Sequence, residues 1–161
     1  MAILRLLADS GLRRQELATL KISDIDFTEG IVLVMGKGRR PRDAPFGRKT
    51  ARALDRYLRA RARHPYADSE GLWLGSKGPL VAPTIRRIVE ARGRQAGIPN
   101  LHPHVLRHSV AHHWRAQGGD DDSLMRLLGW RSRAMLHRYG SSAADERARE
   151  AHRRIGLGDR L

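Results

Sequence analysis

The segment His102-Pro-His-Val-Leu-Arg-His108, followed by Leu127-Leu-Gly-Trp130 and by Tyr139 nine residues later, holds side chains able to bind an oxyanion and to attack it. Pro103 lacks the N–H that a first helical turn leaves unpaired, so a helix is expected to start at His102 or Pro103. His104 then falls in the first turn, and Arg107, three residues on, lies on roughly the same side. An imidazole and a guanidinium can thus converge on one anion beside the positive end of the helix dipole. A phenol ionises only near a pH of about 10, so Tyr139 as a nucleophile needs cations around its target and an acceptor for its proton. Arg107 and His104 supply both.

The elements that must position these groups can be read around them. Leu106, Val110 and Trp114 form a separate apolar stripe on the same helix, directed at the core. A short helix is expected over 120–128, with Asp120, Asp121, Asp122 and Ser123 at its N-terminal end and Gly129 as a left-handed stop. Ser132 can cap a third helix that turns Met135 and Leu136 inward and ends at Tyr139, where Gly140-Ser-Ser142 breaks it.

Length and composition bound the rest. The 161 residues, 40% of them apolar, suit one domain with a real core. Lys and Arg number 31 against 17 acids, a net charge of +14 spread along the whole chain, which makes nucleic acid the leading partner over a merely solubilising basic surface. There is no Cys, which excludes disulfide and thiolate chemistry. Without an apolar run near the roughly 20 residues needed to cross a bilayer, and with too short an apolar start for a signal peptide, a cytoplasmic protein is expected.

A helix over 2–8 begins abruptly, like the end of a longer one, and Asp9-Ser-Gly11 reads as a turn. A second helix follows over 13–20 with Leu17 and Leu20 inward. Arg13 and Glu16 share a face, a spacing that by itself is usually a weak surface pair. From Ile25 the pattern alternates as strands do: Ile25-Asp-Phe27, a turn to Gly30, Ile31-Val-Leu-Val-Met35, then Gly36-Lys37-Gly38 and a return strand through Arg42 to Phe46. Lys37 sits at a hairpin tip, and Arg39, Arg40 and Arg42 after it favour a nearby phosphate backbone. A basic amphipathic helix is expected over 48–64 with Ala53, Leu54, Tyr57 and Leu58 buried. Then come a buried strand over 71–75 and a helix over 83–95 with Ile85, Ile88 and Val89 inward. Arg86, Arg87, Arg92 and Arg94 remain on the outside of that helix, able to lie along DNA.

Taken together, Gly11-Leu-Arg13-Arg-Gln-Glu16-Leu, Gly36-Lys37-Gly38, His104-Val-Leu-Arg107-His and Leu127-Leu-Gly-Trp130 with Tyr139 nine residues on resemble the catalytic domain of the tyrosine recombinases, the phage integrase family. The resemblance covers nearly the whole chain. It implies an α+β fold of the DNA breaking-rejoining type: a mainly helical catalytic domain over 1–161 with a small antiparallel three-stranded sheet. The active site it implies is Arg13, Lys37, His104, Arg107, Trp130 and Tyr139, with Glu16 orienting an arginine from behind and Arg39, Arg40, Arg42, Arg86 and Arg87 on DNA. Most relatives have His where this chain has Trp130, whose indole donates one N–H but moves no proton. The helical DNA-clamping domain that usually comes first is expected to be absent.

The implied reaction is metal-free and cofactor-free cutting and rejoining of double-stranded DNA through a 3′-phosphotyrosine. The chain is expected to be a monomer when free and a tetramer on DNA, with the tail over 143–161 packing against a neighbouring subunit. Two rivals stand beside this. A non-catalytic DNA-binding remnant is favoured by the missing clamp. A metalloenzyme is suggested by His102, His104, His108, His112 and His113 in one segment, since His at i and i+4 can chelate zinc, but neither Cys nor an acid accompanies them between Leu101 and Gly119.

Overall fold

A computed structural model describes residues 1–36, 40–136, 149 and 152–155. Lys37, Arg39, Tyr139 and most of the tail over 143–161 lie outside the described residues. The chain starts with α1 (Ala2–Ser10), whose buried Ala2, Leu6 and Leu7 recur at helical spacing. This helix runs further than the expected 2–8. The Ser10 hydroxyl donates back to the Leu6 carbonyl, and the stop comes one residue later at Gly11, with φ 60°. The second helix, α2 (Arg14–Ala18), is shorter than expected. Arg13 is its N-cap, and the Arg13 N–H is taken by the Glu16 carboxylate at 2.8 Å.

Three short strands, β1 (Ile25–Asp26), β2 (Ile31–Met35) and β3 (Pro41–Pro45), form an antiparallel sheet in chain order. The register pairs Val32 with Ala44 and Val34 with Arg42. Val32, Val34 and Ala44 are buried while Leu33 and Met35 are exposed, the alternation of a sheet with one wet face. Residues directly opposite in such a ladder share a face, so Arg42 is carried inward with Val34.

Next come α3 (Arg48–Arg61), with Leu54 fully buried, a two-stranded hairpin of β4 (Leu74–Gly75) and β5 (Gly78–Pro79), and α4 (Ala82–Gln95), which buries Ala82, Ile85, Val89 and Gly93. Of the expected 71–75 strand, Leu74 and Gly75 pair with β5, while Gly71 makes only an isolated bridge to Lys21. Between them, Leu72 and Trp73 pass through the core, and the Trp73 indole donates to the Leu17 carbonyl at 3.0 Å. Helix α3 stops at Arg61, short of His64, and Arg61 turns inward and gathers the loop that follows. Its guanidinium donates to the carbonyls of Ala67, Ser69, Gly71 and Leu72.

Two helices complete the described fold, α5 (Pro103–Ala116) and α6 (Asp121–Leu128). His102 is the N-cap of α5, with Pro103 in its first turn as the sequence requires. The Asp120 carboxylate accepts the Ser123 N–H at 2.7 Å at the start of α6, and Gly129, φ 62°, ends it. Among the described residues the apolar side chains form two clusters. The larger holds α1, α2, the inner face of the sheet, α3 and α4, with Leu106 against it; the smaller holds Ala111, Leu124, Leu128, Trp130 and Leu136, with Val110, Trp114 and Met135 packed on it. The stripe read along α5 is thus divided, Leu106 facing one cluster and Val110 and Trp114 the other.

Replacing Arg61 by Ala would leave the half-buried carbonyls of Ala67, Ser69 and Gly71 without this donor, while the Leu72 carbonyl keeps the Tyr57 hydroxyl. We expect a loss on the order of 2–4 kcal/mol, read as a lower urea midpoint at unchanged slope.

Candidate active site

The site is built around the carbonyl end of α6. A helix leaves its last carbonyls without partners inside the helix, and they form the negative end of its dipole. The N–H groups of Gly129 and Trp130 turn back to the carbonyls of Arg126 and Met125. The next three carbonyls each receive a different arginine: Arg42 donates to Leu127 at 2.7 Å, Arg107 to Leu128 at 2.5 Å and Arg13 to Gly129 at 3.2 Å. These donors come from β3, α5 and the N-cap of α2, so the last turn of α6 joins three parts of the chain that are far apart in sequence.

Two of the three arginines also share a carboxylate. Glu16 binds the Arg13 guanidinium through Oε1 at 2.8 Å and that of Arg42 through Oε2 at 2.7 Å. Burial alone would raise the Glu16 pKa, but the charges of Arg42 and Arg13 and the Arg13 backbone N–H outweigh it and hold the carboxyl below its ordinary value. The Arg13–Glu16 spacing is therefore no weak surface pair. The Glu16 side chain is only 6% exposed, and two guanidinia are fixed on it.

Arg107 is 3% exposed, and its other terminal nitrogen donates to the Gly11 carbonyl at 2.6 Å. Its guanidinium carbon lies 5.6 Å from the centre of the Trp130 ring, in cation–π range. A Cβ on Gly11 would stand 2.6 Å from Leu128 Cδ2, so this glycine both ends α1 and lets it close on the α6 terminus.

Arg13, Arg107, His104 and Trp130 line one cavity of about 510 Å³, together with Arg14, Arg86 and His102. His104 stands on the first turn of α5, edge-on to His108 at 4.4 Å and parallel to His102 at 6.4 Å between ring centres. Partial burial and the charges of His104, His102 and Arg107 lower the pKa of His108, which favours its neutral form. A second cavity of about 700 Å³, reached by Arg40, Met125 and Arg131, meets the first at Arg13 and Trp130. Among the described residues no three His, Asp or Glu side chains converge as a metal site would require.

Of the residues singled out from sequence, the fold thus brings Arg13, Glu16, His104, Arg107 and Trp130 together. Lys37 and Tyr139 lie outside the described residues, as does Arg39. Arg86 and Arg87 are on the exposed side of α4, Arg86 paired with Glu90 and Arg87 bonded to the Thr84 hydroxyl. Arg42 is the correction. Expected to face a phosphate backbone, it is turned inward by the register of β3, 10% exposed and bound to Glu16 and Leu127. Its alternation with Ala44 carried that signal. The role of the Gly11, Leu127, Leu128 and Gly129 carbonyls had no signal in side-chain types at all.

Residues 1–146 match the family model described as the phage integrase family. The chain belongs to the phage integrase family. As a member, it is 38% identical over 148 residues to the tyrosine recombinase XerC of Bifidobacterium longum (strain DJO10A), a match covering 86% of this chain and 42% of that protein. It is 41% identical over 132 residues to the XerC of Azotobacter vinelandii (strain DJ / ATCC BAA-1303), covering 80% and 43%. This phage integrase family chain therefore spans less than half the length of either relative. The crystal structure of XerA recombinase superposes with a TM-score of 0.83 at 34% identity, over 96% of this chain and 57% of that one. The XerH site-specific recombinase bound to its difH substrate before cleavage superposes at 0.76 with 25% identity, over 93% and 45%.

The buried Glu16 carboxylate gives this family member a measurable acid sensitivity. Because its folded pKa is depressed, its contribution to stability is present in full above the ordinary Glu range and lost as pH falls below about 4 through the folded value. Urea midpoints across pH 2–6 should fall more steeply at the acid end for the parent chain than for Glu16→Gln, which has no proton to gain.

Proposed function

We propose that the chain carries the catalytic centre of a site-specific DNA recombinase that cuts and rejoins DNA through a 3′-phosphotyrosine. The observation that carries this reading is the convergence of Arg13, Arg107, His104 and Trp130 on one cavity, with the arginines anchored from behind. Such anchoring favours catalysis, since donors already held in place need little rearrangement when charge develops on a phosphate.

The Tyr139 oxygen attacks the scissile phosphorus as the bond to the 5′-oxygen breaks, the two oxygens in line. His104 accepts the phenol proton. Lys37, in the segment of sequence that joins β2 to β3, gives a proton to the departing 5′-oxygen, which leaves as a hydroxyl. Arg13 and Arg107 hold the non-bridging oxygens, and the Trp130 indole donates a third hydrogen bond in place of an imidazole. Rejoining reverses the step: a 5′-hydroxyl from a second strand attacks the phosphotyrosine and releases the phenol, so the bond is conserved without metal or cofactor.

The partner in this reading is double-stranded DNA, supported by the net charge of +14 and by the exposed Arg86 and Arg87 on α4. The free chain is a monomer and assembles as a tetramer on DNA, and it acts in the cytoplasm. No described helix is long and apolar enough to cross a membrane.

Incubation with nicked suicide substrates should yield a covalent protein–DNA adduct. Tyr139→Phe should abolish it while leaving DNA retention in a gel shift within about twofold, since one phosphate contact among many is a small part of non-specific affinity. An adduct formed by the Phe variant would transfer the role to another residue. No adduct from the parent chain on any substrate, with DNA binding intact, would favour a non-catalytic DNA-binding remnant.

A further inference from the structure

Glu16 is a buried anion with two cations, Arg13 at 2.8 Å and Arg42 at 2.7 Å, so the three groups together retain one positive charge. That charge is not shared evenly with the surroundings. The Arg42 side chain is 10% exposed and that of Arg13 39%, and only Arg13 borders the cavity that holds His104 and Arg107. Were Glu16 paired with Arg13 alone, the pair would be neutral, and an anion in the cavity would meet a guanidinium whose charge was already spent on the carboxylate behind it.

We propose that Arg42 is a positioning residue: it neutralises Glu16 so that Arg13 keeps its charge for an anion, and it fixes the α6 terminus against which Arg13 rests. The second part follows from contact. Arg42 reaches past Glu16 to the Leu127 carbonyl at 2.7 Å, and a Cβ on Gly129 would lie 2.9 Å from Arg42 Nε, so the arginine runs directly under the turn that leads to Trp130. One side chain on β3 thereby couples the charge of Arg13 to the placement of Trp130. This inference rests on the proposed DNA cleavage for its rate readout, and on simple anion binding for an independent one.

Charge counting sets the test. Arg42→Gln leaves one carboxylate and one guanidinium, whereas Glu16→Gln combined with Arg42→Gln restores a single uncompensated Arg13. Single-turnover cleavage of a suicide substrate should fall on the order of 100-fold in Arg42→Gln, the scale of a misplaced catalytic group, and recover at least tenfold in the double variant. Arg42→Lys, which keeps the charge but not the fork between Glu16 and Leu127, should be intermediate. In parallel, the Arg13 Nε–Hε resonance is followed during titration with inorganic phosphate. It should saturate in the parent chain, at several-fold higher phosphate in Arg42→Gln, and near the parental value again in the double variant. A role confined to packing would make the double variant as slow as the single one, or slower.

Cleavage by Arg42→Gln within twofold of the parent, or no recovery in the double variant, overturns the proposal. If Arg42→Gln does not fold, the folded double variant decides: cleavage within about tenfold of the parent supports the charge argument and a larger deficit overturns it. If the parent chain forms no adduct while the phosphate series behaves as described, the cleavage reading fails and this one stands. If adducts form and neither series responds to Arg42, the reverse holds.

Discussion

The carbonyl end of α6 is the constraint on which the site depends. Carbonyls at a helix terminus must find donors, and in a partly buried place water cannot supply enough of them. Here arginines from three distant parts of the chain do so, one to each of Leu127, Leu128 and Gly129. A neutral donor would satisfy the hydrogen bond but not the helix dipole, whereas a guanidinium answers both and has further N–H groups to offer. The same requirement that completes α6 therefore gathers positive charge at one place, and positive charge at one place is what an anionic phosphate requires.

Placement of that charge follows from the division of the core. The larger apolar cluster carries Arg13, Glu16 and Arg42 on α2 and β3, and the smaller carries α6 and Trp130. Helix α5 spans both, with Leu106 on one and Ala111 on the other, and Arg107 lies between these two positions along it. The cavity opens where the two clusters meet, which is where backbone from several elements ends and side chains can converge. Packing on each side holds the guanidinia, and among the described residues the hydrogen bonds to the α6 terminus, the Arg107–Trp130 contact and the close approach of Gly11 to Leu128 cross between them near the site.

Much of this was legible in the residues. Pro103 marked the start of α5, Gly129 the end of α6, and the apolar, β-branched run over 31–35 the central strand, because each rests on a local property of the chain. The placement of His104 and Arg107 on one cavity followed from helix periodicity. Less legible were effects that depend on register and on backbone atoms. Arg42 reads as one more base in a basic run until the pairing with Val34 turns it inward, and the spacing of Arg13 and Glu16 taken alone reads as a weak surface pair, its supporting role having come only from the family resemblance. Arg61 gave no sign of its role, since a loop clasped by carbonyl contacts leaves no pattern in side-chain types. Extension of α1 to Ser10 depended on one hydroxyl turning back to Leu6, a choice that sequence leaves open.

In the proposed reaction Arg13 and Arg107, held on the α6 terminus, cradle a phosphate that Tyr139 attacks. The most direct test of that reaction is a crystal structure of the chain with orthovanadate and a nicked DNA duplex. The account predicts a five-coordinate vanadium bonded to the Tyr139 oxygen, with equatorial oxygens on Arg13, Arg107 and Trp130 while Arg107 keeps its bonds to Gly11 and Leu128. Vanadate bound away from these side chains, or a tyrosine other than Tyr139 on the metal, would contradict it.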